Sequence, residues 1–189
     1  TVYGGIAGDV MAADAQKMSA LHDPDETILD EELARAIIPF SAKPGNVHEL
    51  RVRLMDAMWD DVGVMRDAAG LKLGIEKIAS LKTDMENVGV SADNLAFNLS
   101  WHDWLSLQSL IDTSEVIAKA GLSRENSRGA HFREDFPDAG SLDDSYFTIA
   151  TSGDKGIEVN REAVKFTIVK PGESLLGADE AETLVEAAQ

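Results

Sequence analysis

Apolar residues recur at the three-to-four spacing of one helical face in three long stretches of the chain. The first begins at Asn46, whose side chain can cap a helix, and runs through Val47, Leu50, Leu54, Met58, Val62 and Met65. The second runs through Leu71, Ile75, Ile78, Leu81 and Met85 to about Val88, with Gly70 and Gly74 marking a kink or interruption between the two. The third covers roughly Leu99 to Leu122 and sets Trp104, Leu107, Ile111, Ser114, Ile117 and Ala118 on its inner face. Three such stripes predict a mainly α fold, a three-helix bundle in the up-down-up manner of a spectrin repeat. Farther on the period falls to two. Tyr146 to Thr151 and Ala163 to Val169 have strand composition, with Ser152-Gly153-Asp154-Lys155-Gly156 as the turn. This predicts a C-terminal β-hairpin arm, which needs a larger body behind it to be stable.

The flanks divide the rest. Residues 1–22 read as a helix of small residues, and 23–45 as a connector with a turn at Asp23-Pro24-Asp25. A short acidic helix from Ile28 to Ile38 follows, stopped by Pro39 and Pro44-Gly45. The bundle with its loop takes 46–137 and the hairpin arm 138–170. Residues 171–189 form a tail with five acids and no base, expected to be frayed or shortly helical. Gly4, Gly5 and Gly8 superficially suggest a dinucleotide loop, but such a loop follows a hydrophobic strand. Close packing against a neighbour explains them better, and that neighbour is expected upstream.

Charge and composition narrow the chemistry. The 189 residues carry 34 Asp plus Glu against 17 Lys plus Arg, a net charge of −17, which argues against nucleic acid or an anionic membrane as partner. There is no Cys, so disulfides, thiolate catalysis and cysteine-ligated metals are excluded. No apolar run approaches the roughly 20 residues a membrane-spanning helix needs, so no direct membrane insertion is expected. His48 and His102 lack an i+4 partner for metal ligation, and the Trp and Met residues fall at core spacing.

One segment departs from the acidic background. Ser123 to Pro137 interleaves Arg124, Arg128 and Arg133 with Glu125, Glu134, Asp135, His131, Phe132 and Phe136. Each guanidinium presents five donors in a planar fork and demands several acceptors. The residues fit a structural knot of ion pairs and hydrogen bonds that ties a long loop to the body. An anion-substrate site is a second reading, and a metal site on His131, Glu134 and Asp135 a third.

The run Arg124-Glu125-Asn126-Ser127-Arg128-Gly129-Ala130-His131-Phe132-Arg133-Glu134-Asp135-Phe136-Pro137 resembles a signature of the flavoprotein subunits of fumarate reductase and succinate dehydrogenase, with L-aspartate oxidase as a relative. It departs from that signature at Asn126. Leu54 to Arg66, ending Val62-Gly63-Val64-Met65-Arg66, is similar to the family's helical segment, and Trp104 to Ala120 to the helix before the signature. Thr1-Val2-Tyr3-Gly4-Gly5-Ile6-Ala7-Gly8 resembles the segment that begins the last helix of the family's FAD-binding domain, with Gly5 in place of the usual Arg.

The resemblance implies the C-terminal helical domain of an FAD-dependent oxidoreductase, as a fragment or a separately encoded half, which buttresses the flavin domain without being catalytic alone. It implies no catalytic, cofactor-binding or metal residue in this chain, with FAD held elsewhere in the complete protein. Arg124, Arg128, His131, Arg133 and Asp135 are expected to form a network at the domain junction. The implied partners are the FAD-binding domain, on the same or a separate chain, and an iron–sulfur subunit of the parent complex, in the cytoplasm or at the inner membrane face through partner subunits. A stand-alone helical interaction module without flavin chemistry is the alternative.

Overall fold

The computed structural model describes residues 2–18, 20, 23–153 and 156–173. In chain order they form α1 (Val2–Lys17), α2 (Glu26–Ser41), α3 (Val47–Asp60), β1 (Met65–Arg66), α4 (Ala68–Glu86), α5 (Leu99–Ser123), β2 (Phe132–Arg133), a 3-10 turn (Leu142–Asp144), β3 (Tyr146–Gly153) and β4 (Gly156–Ala163). The fold is mainly helical, with a small hairpin toward the C-terminus. The chain divides into two units, Thr1–Ile38 and Pro39–Gln189.

In the first unit α1 buries none of its side chains, and Val2, Tyr3, Ile6, Val10 and Met11 are exposed. Ile28, Leu29 and Leu33 of α2 are exposed as well.

In the second unit α3, α4 and α5 pack against one another. Each starts on an Asn or Asp side chain that accepts an otherwise unpaired amide of the first turn: Asn46 from Glu49 at 3.1 Å, Asp67 from Gly70 at 2.7 Å and Asn98 from Trp101 at 3.0 Å. The shared core is Leu50 and Leu54 from α3, Leu71, Ile78, Leu81 and Met85 from α4, and Trp104, Leu107, Ile111 and Ala118 from α5. Burying each large aliphatic chain contributes about 1.5–3 kcal/mol. The Trp104 indole donates to the Val88 carbonyl at 2.7 Å, so the ring's one polar atom is satisfied inside the core.

The stripes locate the helices but overrun them in places. The first stripe does not end as helix at Met65: α3 stops at Asp60, Val62 stays buried from a turn, and Met65 is exposed in β1. The turn depends on Gly63, where a Cβ would lie 2.5 Å from the Trp59 carbonyl oxygen. Asp67 in extended backbone then starts α4, so Gly70 and Gly74 sit inside that helix rather than at a break. Ile117, expected on the inner face of α5, is 41% exposed, because the buried line of that helix runs through Ser114 and Ala118.

Likewise α2 does not stop at Ile38 but continues through Pro39 to Ser41. The missing proline N–H costs one helical bond, and neighbouring backbone secures the segment instead. Val90 donates to the Pro39 carbonyl at 3.0 Å, Gly89 to Lys43 at 2.9 Å and Gly45 to Gly89 at 3.1 Å.

The second strand of the hairpin also comes earlier than its composition suggests. Its register runs from Gly153 opposite Gly156 to Tyr146 opposite Ala163, so the second strand is Gly156–Ala163 and not Ala163–Val169. This register uses all eight residues of β3, and pairing ends with the Val164 amide, which donates to the Ser145 carbonyl. Lys119 of α5 donates to the Ile157 carbonyl at 3.2 Å, holding the arm on the bundle. From residue 174 on, the expected acidic tail lies outside the described residues.

Candidate functional site

The arginine-rich loop folds back on the turn between α3 and α4. β1 and β2 pair in parallel, Met65 beside Phe132 and Arg66 beside Arg133, and the Glu134 amide extends the ladder to the Arg66 carbonyl at 2.7 Å. Alternation along these strands leaves Met65 and Phe132 exposed and buries Arg133, which is 1% exposed.

A buried guanidinium needs full compensation, and Arg133 receives it. Nη1 donates to the carbonyls of Gly121, Leu122 and Arg124 at 3.0, 3.1 and 3.2 Å, acceptors at the C-terminal end of α5. Nε and Nη2 donate in parallel to the two carboxylate oxygens of Asp135, both at 2.7 Å. Asp135 also accepts the Ala68 amide at 3.0 Å, in the first turn of α4. The Arg133 guanidinium holds the Asp135 carboxyl at a pKa of about 2. One ion pair thus joins the C-terminus of α5 to the N-terminus of α4, where the helix dipoles favour a cation and an anion respectively.

His131 lies beside it. Its Nε2 donates to the Arg124 carbonyl at 3.2 Å, and its Nδ1 accepts from Arg66 Nη1 at 3.0 Å, an assignment fixed by the guanidinium being able only to donate. Burial lowers the His131 pKa against the raising effect of the Arg124 carbonyl, and the cations Arg66, Arg124 and Arg133 lower it further. Arg66 also donates through Nε to the carbonyls of Val62 and Gly63 at 3.1 and 2.6 Å, and burial lowers its pKa.

The other two arginines serve the arm. Arg128 donates to the Ala139 and Ser141 carbonyls, both at 2.5 Å, and to the Ser145 hydroxyl at 2.9 Å, closing the loop before β3. Arg124 donates to Asn126 Oδ1 at 3.2 Å and to the Thr148 hydroxyl at 3.3 Å. The guanidinium carbons of Arg124 and Arg161 lie over the Tyr146 ring, 5.1 and 4.7 Å from its centre. Arg161 also donates to the Ser123 carbonyl.

All five residues read from the sequence, Arg124, Arg128, His131, Arg133 and Asp135, therefore stand in connected or adjoining networks whose partners are groups of this chain. Both ring nitrogens of His131 are occupied, and both carboxylate oxygens of Asp135 accept hydrogen bonds. Among the described residues no group of three His, Asp or Glu is disposed to hold a metal ion. The arrangement supplies rigidity and alignment. Sequence reasoning missed Arg66 as a member of the network. Its only signal was its place at the end of the Val62–Arg66 element, since nothing in its spacing points 65 residues ahead to His131.

Comparison with known proteins gives this knot its setting. Residues 51–175 match the model of the fumarate reductase flavoprotein C-terminal family. The chain is 31% identical over 139 residues to an uncharacterized FAD-dependent oxidoreductase of Methanocaldococcus jannaschii, covering 72% of this chain and 24% of that protein. The figures are the same for a fumarate reductase (CoM/CoB) subunit of Methanothermobacter marburgensis. To the fumarate reductase flavoprotein subunit of Haemophilus influenzae it is 26% identical over 181 residues, 94% of this chain and 30% of that one. Its fold is like that of Mycobacterium smegmatis Sdh1, with a TM-score of 0.72 at 24% identity over 92% of this chain and 29% of the other. Escherichia coli quinol fumarate reductase gives 0.70 at 21% identity, over 80% and 27%. The chain thus spans between 24% and 30% of the length of these curated relatives.

Proposed function

The chain belongs to the fumarate reductase flavoprotein C-terminal family, and we propose that it is the helical buttress of an FAD-dependent oxidoreductase that interconverts a four-carbon dicarboxylate pair such as succinate and fumarate. The observation that carries this reading is the family match over residues 51–175 in a chain spanning only about a quarter of its relatives' length. On this reading the FAD and the reacting groups belong to the flavin-binding part of the parent protein. This chain contributes shape and rigidity.

Arg124, Arg128, His131, Arg133 and Asp135 set the conformation of the loop that meets the flavin-binding part. Satisfying their donors internally holds the loop in one shape before docking, which lowers the ordering cost of the junction. Residues 1–22 belong to the end of the FAD-binding domain, with α1 its last helix, a role supported by the exposed Val2, Tyr3, Ile6, Val10 and Met11. No helix among the described residues is long and apolar enough to cross a membrane. Any membrane association of the parent complex runs through partner subunits, an iron–sulfur subunit among them, on the cytoplasmic side.

Affinity purification of the tagged chain from its native cells tests this. A flavin-containing polypeptide should co-purify, or the same gene should encode a flavin-binding region joined to this one. Recovery of the chain free of both would overturn the proposal.

A further inference from the structure

We propose that the Arg66–His131 hydrogen bond is an acid-released latch that holds the turn between α3 and α4 against the arginine-rich loop. Few links cross this seam. The parallel pair is two residues long on each side, far below what stands alone in water. It is supplemented by the Glu134 amide on the Arg66 carbonyl, the Ala68 amide on Asp135 and the Arg66 guanidinium on His131.

The last of these works in one protonation state. Nδ1 accepts from Arg66 Nη1 at 3.0 Å while Nε2–H donates to the Arg124 carbonyl at 3.2 Å. A second ring proton can only go on Nδ1. It converts that acceptor into a donor facing a permanently charged donor, so the hydrogen bond is replaced by like-charge repulsion. Arg66 cannot readily move aside, because Val62 and Gly63 hold its Nε.

The charged side chains around the ring oppose the new charge, although the Arg124 carbonyl favours it. Arg66 faces the ring from β1, Arg124 from the end of α5 and Arg133 from β2, and all three are cations. α5 otherwise presents Gly121, where a Cβ would be 4.0 Å from His131 Cε1. The carboxylate of this cluster, Asp135, is committed to Arg133 and Ala68. Burial and these cations set the His131 pKa below its ordinary value, so the latch stays shut through neutral pH and opens only as the medium turns acid.

Hydrogen exchange on the unmodified chain at about pH 7.5 and about pH 5, corrected for intrinsic exchange, tests the latch, alongside NMR titration of His131. Protection of the Glu134 and Ala68 amides should fall at least about fivefold at the lower pH, with a midpoint matching the His131 titration, while Ile111 in the core stays unchanged. His131→Gln keeps a donor for the Arg124 carbonyl and an acceptor for Arg66, so its seam protection should not depend on pH. Unchanged seam protection in the natural chain overturns the proposal. So does a pH response that survives in His131→Gln or has a midpoint away from that of His131.

Discussion

Arg133 and Asp135 are joined by two parallel hydrogen bonds of 2.7 Å, and Asp135 passes the connection on to the first turn of α4 through the Ala68 amide. The ends of two bundle helices are thus tied through one ion pair whose guanidinium is out of contact with water. Replacing Arg133 with Ala leaves three carbonyls and a carboxylate short of partners. It should cost about 3–5 kcal/mol, read as a fall of roughly 10 °C in the circular-dichroism melting temperature.

The same pair sets an acid limit. Asp135 has its pKa lowered from 3.8 to about 2, chiefly by the hydrogen bonds from Arg133. Because the folded value lies below the unfolded one, its stabilisation is complete above about pH 4 and is lost as pH falls toward 2. The stability gap between the natural chain and Asp135→Asn should be constant near neutrality and close over that window in denaturant titrations. A gap unchanged down to about pH 2 would contradict the pairing.

Trp104→Phe isolates one bond in the core. It keeps most of the ring's contacts but leaves the Val88 carbonyl without the indole donor at 2.7 Å. A loss of about 1–3 kcal/mol in urea unfolding is expected.

Two isoleucines six residues apart on α5 should behave differently. Ile111 is 1% exposed and Ile117 is 41% exposed. Ile111→Ala should cost about 2–5 kcal/mol and Ile117→Ala less than about 1 kcal/mol in the same assay. Equal costs would contradict the outward placement of Ile117 on α5.

Gly89→Ala probes the clamp on residues 39–45. A Cβ there would lie 2.3 Å from the Ala42 carbonyl oxygen and 2.5 Å from that of Pro39. Both are backbone atoms, so the clamp has to open, and a loss of at least about 2 kcal/mol by urea unfolding is expected.

The helices were legible because burial on a packed helix enforces a period that Leu50, Leu54, Ile78, Leu81, Leu107 and Ile111 keep without fault. The turn at 61–67 was hidden by the same rule, since Val62 and Met65 continue the phase of α3 after its backbone has left the helix. The hairpin register was hidden because residues 165–169 have strand composition but lie beyond the paired register. The dense charges of 123–137 made a knot predictable, and its members within that run were named from sequence, while Arg66 was not. What they bind was not, because the acceptors for Arg133 and Arg128 are largely main-chain carbonyls, which every residue carries and no sequence pattern marks.

The role proposed for the chain is most directly tested by flavin absorbance and dicarboxylate turnover, measured on the purified chain alone and again with the flavin-binding part of its parent protein. The account predicts a colourless, inactive chain on its own, and flavin with turnover only when the two parts are together. Bound flavin or succinate–fumarate interconversion by the isolated chain would contradict it.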